Sequence, residues 1–410
     1  MEARSVSVIV VSRKRPQALT RCLLGLSQLD YPLFEVVVVA CPDGIKAASE
    51  TPQADQIKFV PFDEANISTA RNAGIAQAAG EIVAFIDDDA VPEPLWLQHL
   101  IAPFDQDDVA AAGGYVIGRN GISFQWKART IDETGECHDH DLDSDAPVVL
   151  TPEPGTAIKT EGTNMAVRRD VLARIGGFDP GFRFYLDETD LNVRLAQRGF
   201  KTALVPLAQV HHGFAESARR ANDRTPRDLT EIGASKMVFL RKHAPEKTWK
   251  SAWSGFVKAQ RQRLVRLMQR GPLGADDVAR LIRGLKRGAK AAKDRPIAEL
   301  PPLEDTATVP FHQFSGRPDA PRVVLSGRIW NAGKLRRAAR EQVQSGAIVS
   351  LYLFSPTTRF HRVHFSNAGV WEQRGGLFGR SNRDAPLFRF WRFSRRKAAE
   401  VARSKPVRGQ

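Results

Sequence analysis

Two acidic clusters hold the residues whose types and spacing could do chemistry together. The first is Ala84-Phe85-Ile86-Asp87-Asp88-Asp89-Ala90, three carboxylates directly after an apolar run. Like charges in a row repel, so at a strand end they cost stability unless a cation neutralises them. Carboxylates with a pyrophosphate are an ordinary ligand set for Mg²⁺ or Mn²⁺, and a solvated acidic turn is the plain alternative. The second cluster is Arg183-Phe184-Tyr185-Leu186-Asp187-Glu188-Thr189-Asp190-Leu191, acids at the start of a segment whose apolar positions Leu191 and Leu195 lie at helical spacing. Helix capping alone would account for acids there. A metal site and a later proton acceptor are nonetheless the pair of groups that displacement of a diphosphate requires. Cys137-His138-Asp139-His140-Asp141 also carries ligand-type side chains, but it lacks a paired second half and reads as an exposed loop.

The elements that must position these clusters alternate. Val6–Val11, Phe34–Val39, Ile57–Val60 and Ile82–Ile86 are strand-like, and Gln17–Leu29 and Ser68–Ala79 are helical between them. That rhythm predicts a mostly parallel sheet covered by helices, with ligands beyond the carboxyl ends of the strands. A strand at Ala110–Val116 precedes a polar stretch to about Pro154. Short strands at Ala157–Lys159 and Asn164–Val167, helices at Arg169–Ile175 and Glu188–Arg198, and a strand at Lys201–Val205 then close a unit of residues 1–230. Residues 231–295 read as a basic helical extension. Within it Trp249, Trp253, Phe256, Leu264, Leu267 and Met268 recur at helical spacing, a stripe that reads first as core packing, with a helix lying on anionic lipid as the alternative. Residues 296–321 read as a proline-rich linker and residues 322–410 as a small α/β appendage with a basic, aromatic tail.

The chain has 410 residues, 42% hydrophobic and 26% charged, an ordinary globular composition. No run approaches the ~18 apolar residues of a membrane-spanning helix. The first residues lack a secretory signal pattern, and three widely spaced cysteines argue against a disulfide framework. A cytoplasmic protein with reduced thiols is expected. The net charge of +14 is concentrated: residues 231–300 carry 17 Lys/Arg against 6 Asp/Glu, and residues 380–410 carry 10 against 2. An anionic membrane surface is therefore an expected partner, on the inner face of the cell membrane, and nucleic acid is not.

Taken in order, several motifs resemble a family 2 glycosyltransferase of the GT-A fold. Val8-Ile9-Val10-Val11-Ser12-Arg13-Lys14-Arg15-Pro16 resembles the opening strand and donor loop, and Asn66 to Ile75 the A-R-N-x-G helix start. Gly80 to Asp89 resembles the G-E-x-x-x-F-x-D-D-D strand. Gly162-Thr163-Asn164-Met165, followed by Gly176-Gly177-Phe178-Asp179, resembles the acceptor-side segment, and Asp187–Leu191 the E-D-x-D-L helix. The resemblance implies a Rossmann-like α/β fold and an inverting transfer of sugar from a nucleotide diphosphate donor to an acceptor hydroxyl. The acceptor would be a glycan or a lipid-linked saccharide, and the setting cell-surface polysaccharide or glycoconjugate synthesis. It assigns a divalent cation to Asp89, Asp87 and His211, with His212 as the competitor, and donor binding to Ser12, Arg15, Asp43, Arg71, Asp87 and Asp88. Acceptor contacts fall on Gly162, Asn164 and Asp190. The general base falls by position on Glu188, where the family usually writes Asp, with Asp187 as runner-up. A catalytically inactive shell binding membrane or nucleic acid is the rival reading; such a shell need not keep Asp87–Asp89 together with Asp187, Glu188 and Asp190.

Overall fold

The computed structural model describes residues 3–213, 216–297, 299–304 and 307–410. β-branched runs form the first strands, and the first three are each followed by a helix that covers the sheet. These are β1 (Val6–Ser12), α1 (Pro16–Leu26), β2 (Phe34–Ala40), α2 (Pro42–Ser49), β3 (Ile57–Pro61), α3 (Ile67–Ile75) and β4 (Ile82–Asp87). After a sharp turn come β5 (Ala90–Pro92), α4 (Trp96–Ile101) and β6 (Val109–Ile117). The polar stretch that reads as loop carries short strands: β7 (Phe124–Trp126), β8 (Arg129–Asp132), β9 (Cys137–Asp139) and β10 (Val148–Leu150). Their runs of three or four residues are too short for alternation to register. Next come β11 (Thr156–Ile158), β12 (Met165–Arg168), α5 (Arg169–Ile175), α6 (Asp187–Gln197) and β13 (Lys201–His212).

Ten of these strands form one sheet, with the path β10-β13-β6-β12-β4-β1-β2-β3 and with β5 and β7 on its flank. β3, β2, β1 and β4 run parallel, as do β6 and β13, and antiparallel β12 joins the two blocks. Strands this buried need apolar residues on both faces. Val8, Val10, Val36 and Val38 pack on one side, and Ile9, Val37 and Val39 on the other.

Three helices follow, α7 (Thr230–His243), α8 (Glu246–Gln269) and α9 (Ala275–Ala291). The apolar stripe of α8 is used in packing: Phe256 and Leu264 are buried with Leu281, Ile282 and Leu285 of α9, and Trp253, Leu267 and Met268 lie against them. The proline-rich segment is a strap along the sheet edge. Phe314 is buried against the Phe34 ring at 5.4 Å, and the backbone N–H of His312 donates to the buried Glu35 carboxylate.

The appendage comprises β14 (Arg322–Arg328), α10 (Ala332–Gln344), β15 (Ile348–Ser355), β16 (Arg362–Phe365), β17 (Val370–Gly376) and α11 (Phe393–Arg408). α11 contains Pro406 and shows no clean apolar stripe, which hides it from periodicity. Its last turn docks on the larger sheet. The Arg408 guanidinium donates to both oxygens of buried Glu93, at 2.7 and 2.8 Å, and its cation lies 4.6 Å from the Trp371 ring centre. No described helix is long and apolar enough to cross a membrane.

Candidate active site

β4 delivers Asp87 at its carboxyl end, and the turn into β5 carries Asp88 and Asp89. Because β1 runs parallel beside β4, Ser12 ends level with them, and its hydroxyl donates to Asp88 Oδ2 at 2.7 Å. Arg15 forms ion pairs with Asp88 and, at 3.1 Å, with Asp89. Asp88 is fully buried, and burial pushes its carboxyl up to about 7 against the pull of Arg15. It holds the turn in shape and presents no free edge to the cleft. Burial also acts to raise Asp89, but His212 and the arginines outweigh it and hold this carboxyl well below the usual carboxylate range.

β13 pairs antiparallel with β5, His212 opposite Ala90, which brings His212 Nε2 to 3.2 Å from Asp89 Oδ1. Asp87, Asp89 and His212 thus offer three ligand atoms within 4.8 Å of one another. Two carboxylates and one imidazole are a fitting donor set for Mn²⁺ and acceptable to Mg²⁺. The expectation for His211 is corrected. Successive side chains on a strand face opposite ways, and His211 points to the appendage, with Nε2 2.7 Å from Glu93 and its ring 5.0 Å from that of Trp371.

Arg71 joins this group to the second acidic cluster. Asn66 caps α3, accepting from the N–H of Thr69, and Gly74 lets the helix sit close to β1, where an added Cβ would meet Ile9 at 2.7 Å. The buried guanidinium pairs with Asp187 and reaches Asp87 at 3.4 Å and the Gly162 carbonyl at 3.0 Å. It rests on the Phe178 ring, 5.0 Å from its centre. A Cβ on Gly162 would lie 2.5 Å from the guanidinium, so glycine is required for that approach. Ahead of α6, Tyr185 and Leu186 adopt φ of +76° and +64°, conformations that cost non-glycine residues energy and cluster at functional sites.

Burial pushes Asp187 up to about 7, with Arg71 opposing and Glu188 adding to the rise. Burial also acts to raise Glu188, yet the adjoining Lys159 ammonium prevails and holds it down at about 2. Lys159 is itself buried, and Glu161 and Glu188 keep it charged by raising its pKa against burial.

A cleft of about 600 Å³ opens over the Asp87–Asp89–His212 group, and Arg71, Lys159, Asp187 and Glu188 lie behind its lining. Ser12, Arg15, Asp87, Asp89 and His212 line one side, and Phe62, Trp126 and Phe184 supply apolar walls. A family model described as "Glycosyltransferase like family 2" matches residues 3–229. The chain belongs to the family 2 glycosyltransferases. It is 27% identical over 235 residues to the O-antigen biosynthesis protein RfbC of Myxococcus xanthus, covering 54% of this chain and 18% of that protein. It is likewise 27% identical over 192 residues to a glucosyl-dolichyl phosphate glucuronosyltransferase of Haloferax volcanii, covering 43% of this chain and 55% of that one. The chain thus spans little more than half of the second relative and far less of the first. The mannosyltransferase PcManGT from Pyrobaculum calidifontis, solved in complex with GDP-Man and Mn²⁺, superposes with a TM-score of 0.44 at 16% identity, covering 72% of this chain and 88% of that one.

Three expected site residues lie elsewhere. Asn164 is buried, accepts from the Trp96 indole N–H and donates to the carbonyls of Tyr115 and Ala208, a full set of structural bonds. Asp190 is buried among Arg194, Lys242 and His243, which hold its carboxyl well below the usual range against the cost of burial. Asp43 is exposed on the first turn of α2, outside the cleft lining. Sequence reasoning missed Lys159, Phe62, Trp126 and the arginines Arg219, Arg220 and Arg227 that border the cleft. The run Arg219-Arg220 was the one visible signal for the arginines. Lys159 had none, since a lone lysine directly after a three-residue strand carries no pattern.

Proposed function

We propose that the chain is an inverting, metal-dependent glycosyltransferase that moves a sugar from a nucleotide diphosphate donor to an acceptor hydroxyl. The observation that carries this reading is the Arg71 bridge: one buried guanidinium contacts a carboxylate of the Asp87–Asp89–His212 group and a carboxylate of the Asp187–Glu188 pair. The two acidic clusters are therefore neighbours, joined through one side chain. Asp87, Asp89 and His212 would hold the divalent cation, which when bound supplies Lewis acidity to the leaving diphosphate. Arg15, Arg71 and Arg220 favour the same anion. The acceptor oxygen forms the new bond to the anomeric carbon as the carbon–phosphate oxygen bond breaks on the opposite face. The hydroxyl proton passes to a carboxylate of the second cluster.

By position that base is Glu188. Its pairing with Lys159 favours a second assignment, because a carboxylate held near 2 accepts protons poorly whereas Asp187, raised to about 7, accepts them well. The acceptor class is a glycan or lipid-linked saccharide in cell-surface glycoconjugate synthesis, supported by the relatives' names. The protein would work peripherally at the cytoplasmic face of a membrane. Incubation with a panel of nucleotide sugars and Mn²⁺, with product configuration read by NMR, tests the proposal. Transfer with inversion, abolished by a chelator and by Asp89→Ala, is expected. Transfer with retention, or transfer indifferent to both, would overturn it.

A further inference from the structure

The appendage carries an exposed patch that the reaction does not use. Phe360, Leu387, Phe388 and Phe390 are 55%, 63%, 56% and 75% exposed. Leu387, Phe388 and Phe390 follow closely in the chain, and two of them share one support. Phe388 and Phe390 both lie against Phe378, with ring centres 5.9 and 5.6 Å apart, and the N–H of Arg389 donates to the Phe378 carbonyl. Arg380 covers one face of Phe360 at 4.5 Å and donates to the carbonyl of Arg383. Arginines surround these apolar tips: Arg359, Arg383, Arg389, Arg392 and Arg395 are exposed, and between 378 and 397 Asp384 is the single acidic residue. Contiguous apolar surface rimmed by one sign of charge marks an interaction site.

We infer that this patch is a docking surface for an anionic lipid bilayer, with Leu387, Phe388 and Phe390 entering the headgroup boundary and the arginines meeting lipid phosphates. Two observations favour a bilayer over another polyanion. Leu387 is the second most exposed of the four tips and has no π face to offer a base, whereas hydrocarbon suits it. The Phe390 ring is stacked on Phe378 at 18°, so one of the faces that a nucleobase would need is covered. Peripheral attachment belongs to the proposed function above, and the inference rests on that reading only in naming where attachment occurs, since α8 spends its own stripe on packing.

The test is flotation of the full chain with phosphatidylglycerol–phosphatidylcholine vesicles, with pure phosphatidylcholine vesicles and a single-stranded oligonucleotide as further probes. Wild type should bind the anionic vesicles alone. F388S/F390S should weaken that binding by about tenfold or more, since two half-exposed phenylalanines contribute at least the ~1.4 kcal/mol of one decade. Nucleotide-sugar hydrolysis with Mn²⁺ should be unchanged in the same variant, which separates the two readings: vesicle binding without hydrolysis sinks the proposed reaction and leaves the patch. Arg389→Gln, a milder change, should halve or further reduce binding. Wild-type affinity in both variants, equal binding to neutral vesicles, preferential oligonucleotide binding that needs Phe388 and Phe390, or a concentration-dependent dimer lost in F388S/F390S would each overturn the inference.

Discussion

Arg408→Met tests the docking of the appendage on the catalytic sheet. The substitution keeps an unbranched stem over Trp371 and removes the guanidinium that donates twice to Glu93. Glu93 is left buried with His211 as its remaining partner. The structure gives the magnitude in two ways. Arg408, with His211, holds the Glu93 carboxyl down at about 2 from an ordinary 4.5 despite burial, and a shift of that size corresponds to about 3 kcal/mol. Breaking one side of a buried ion pair costs about 3–5 kcal/mol. The sign follows from the depressed pKa: the stabilisation is complete above about 4.5 and is lost as pH falls toward 2. Urea unfolding at neutral pH should show a loss of about 3 kcal/mol, and the acid-side slope between those two pH values should flatten. Combining Arg408→Met with Glu93→Gln should restore part of the loss, because neither charge is then stranded. Single-variant stability within ~0.5 kcal/mol of wild type, or simple additivity in the double variant, would refute the coupling.

Other consequences are measured on the cleft. His212→Ala should weaken Mn²⁺ binding by about tenfold or more in calorimetry, while His211→Ala should leave it near wild type and lower the melting temperature instead. Glu188→Gln should retain donor binding and lose turnover if Glu188 is the base; if Asp187→Asn shows that pattern and Glu188→Gln keeps a large share of turnover, the assignment moves to Asp187. Arg71→Lys should reduce kcat by about a hundredfold with a smaller change in KM, because an ammonium cannot reach Asp87, Asp187 and the Gly162 carbonyl together.

The parallel sheet was legible because buried strands such as Val36–Val39 need unbroken β-branched runs, and because Asp87–Asp89 directly follow one of them. The acidic pair before Thr189 was legible for the same reason, as polar residues opening an apolar helical pattern. Side-chain phase was not. Whether His211 or His212 meets the acids depends on an irregularity between Val205 and Gln209, where the pairing with β6 shifts register, and no residue in that stretch announces it. Asp190 and Asn164 carry functional-looking chemistry yet are consumed by partners distant in sequence, His243 and Trp96 among them. Partnering of that kind is a property of packing, invisible to local pattern.

The irregular stretch before Gln209 makes strand length a selector between two adjacent imidazoles. Inserting one residue there would turn His211 toward Asp89 and put Val210 in front of Trp371, keeping an imidazole beside the acids while removing the His211 partner of Glu93. Deleting one would do the converse, seating His212 against Trp371 and offering Gly213 to the cation. A change of one residue in chain length would thereby decide which imidazole faces Asp89 and which side chain faces Glu93, with no side chain substituted.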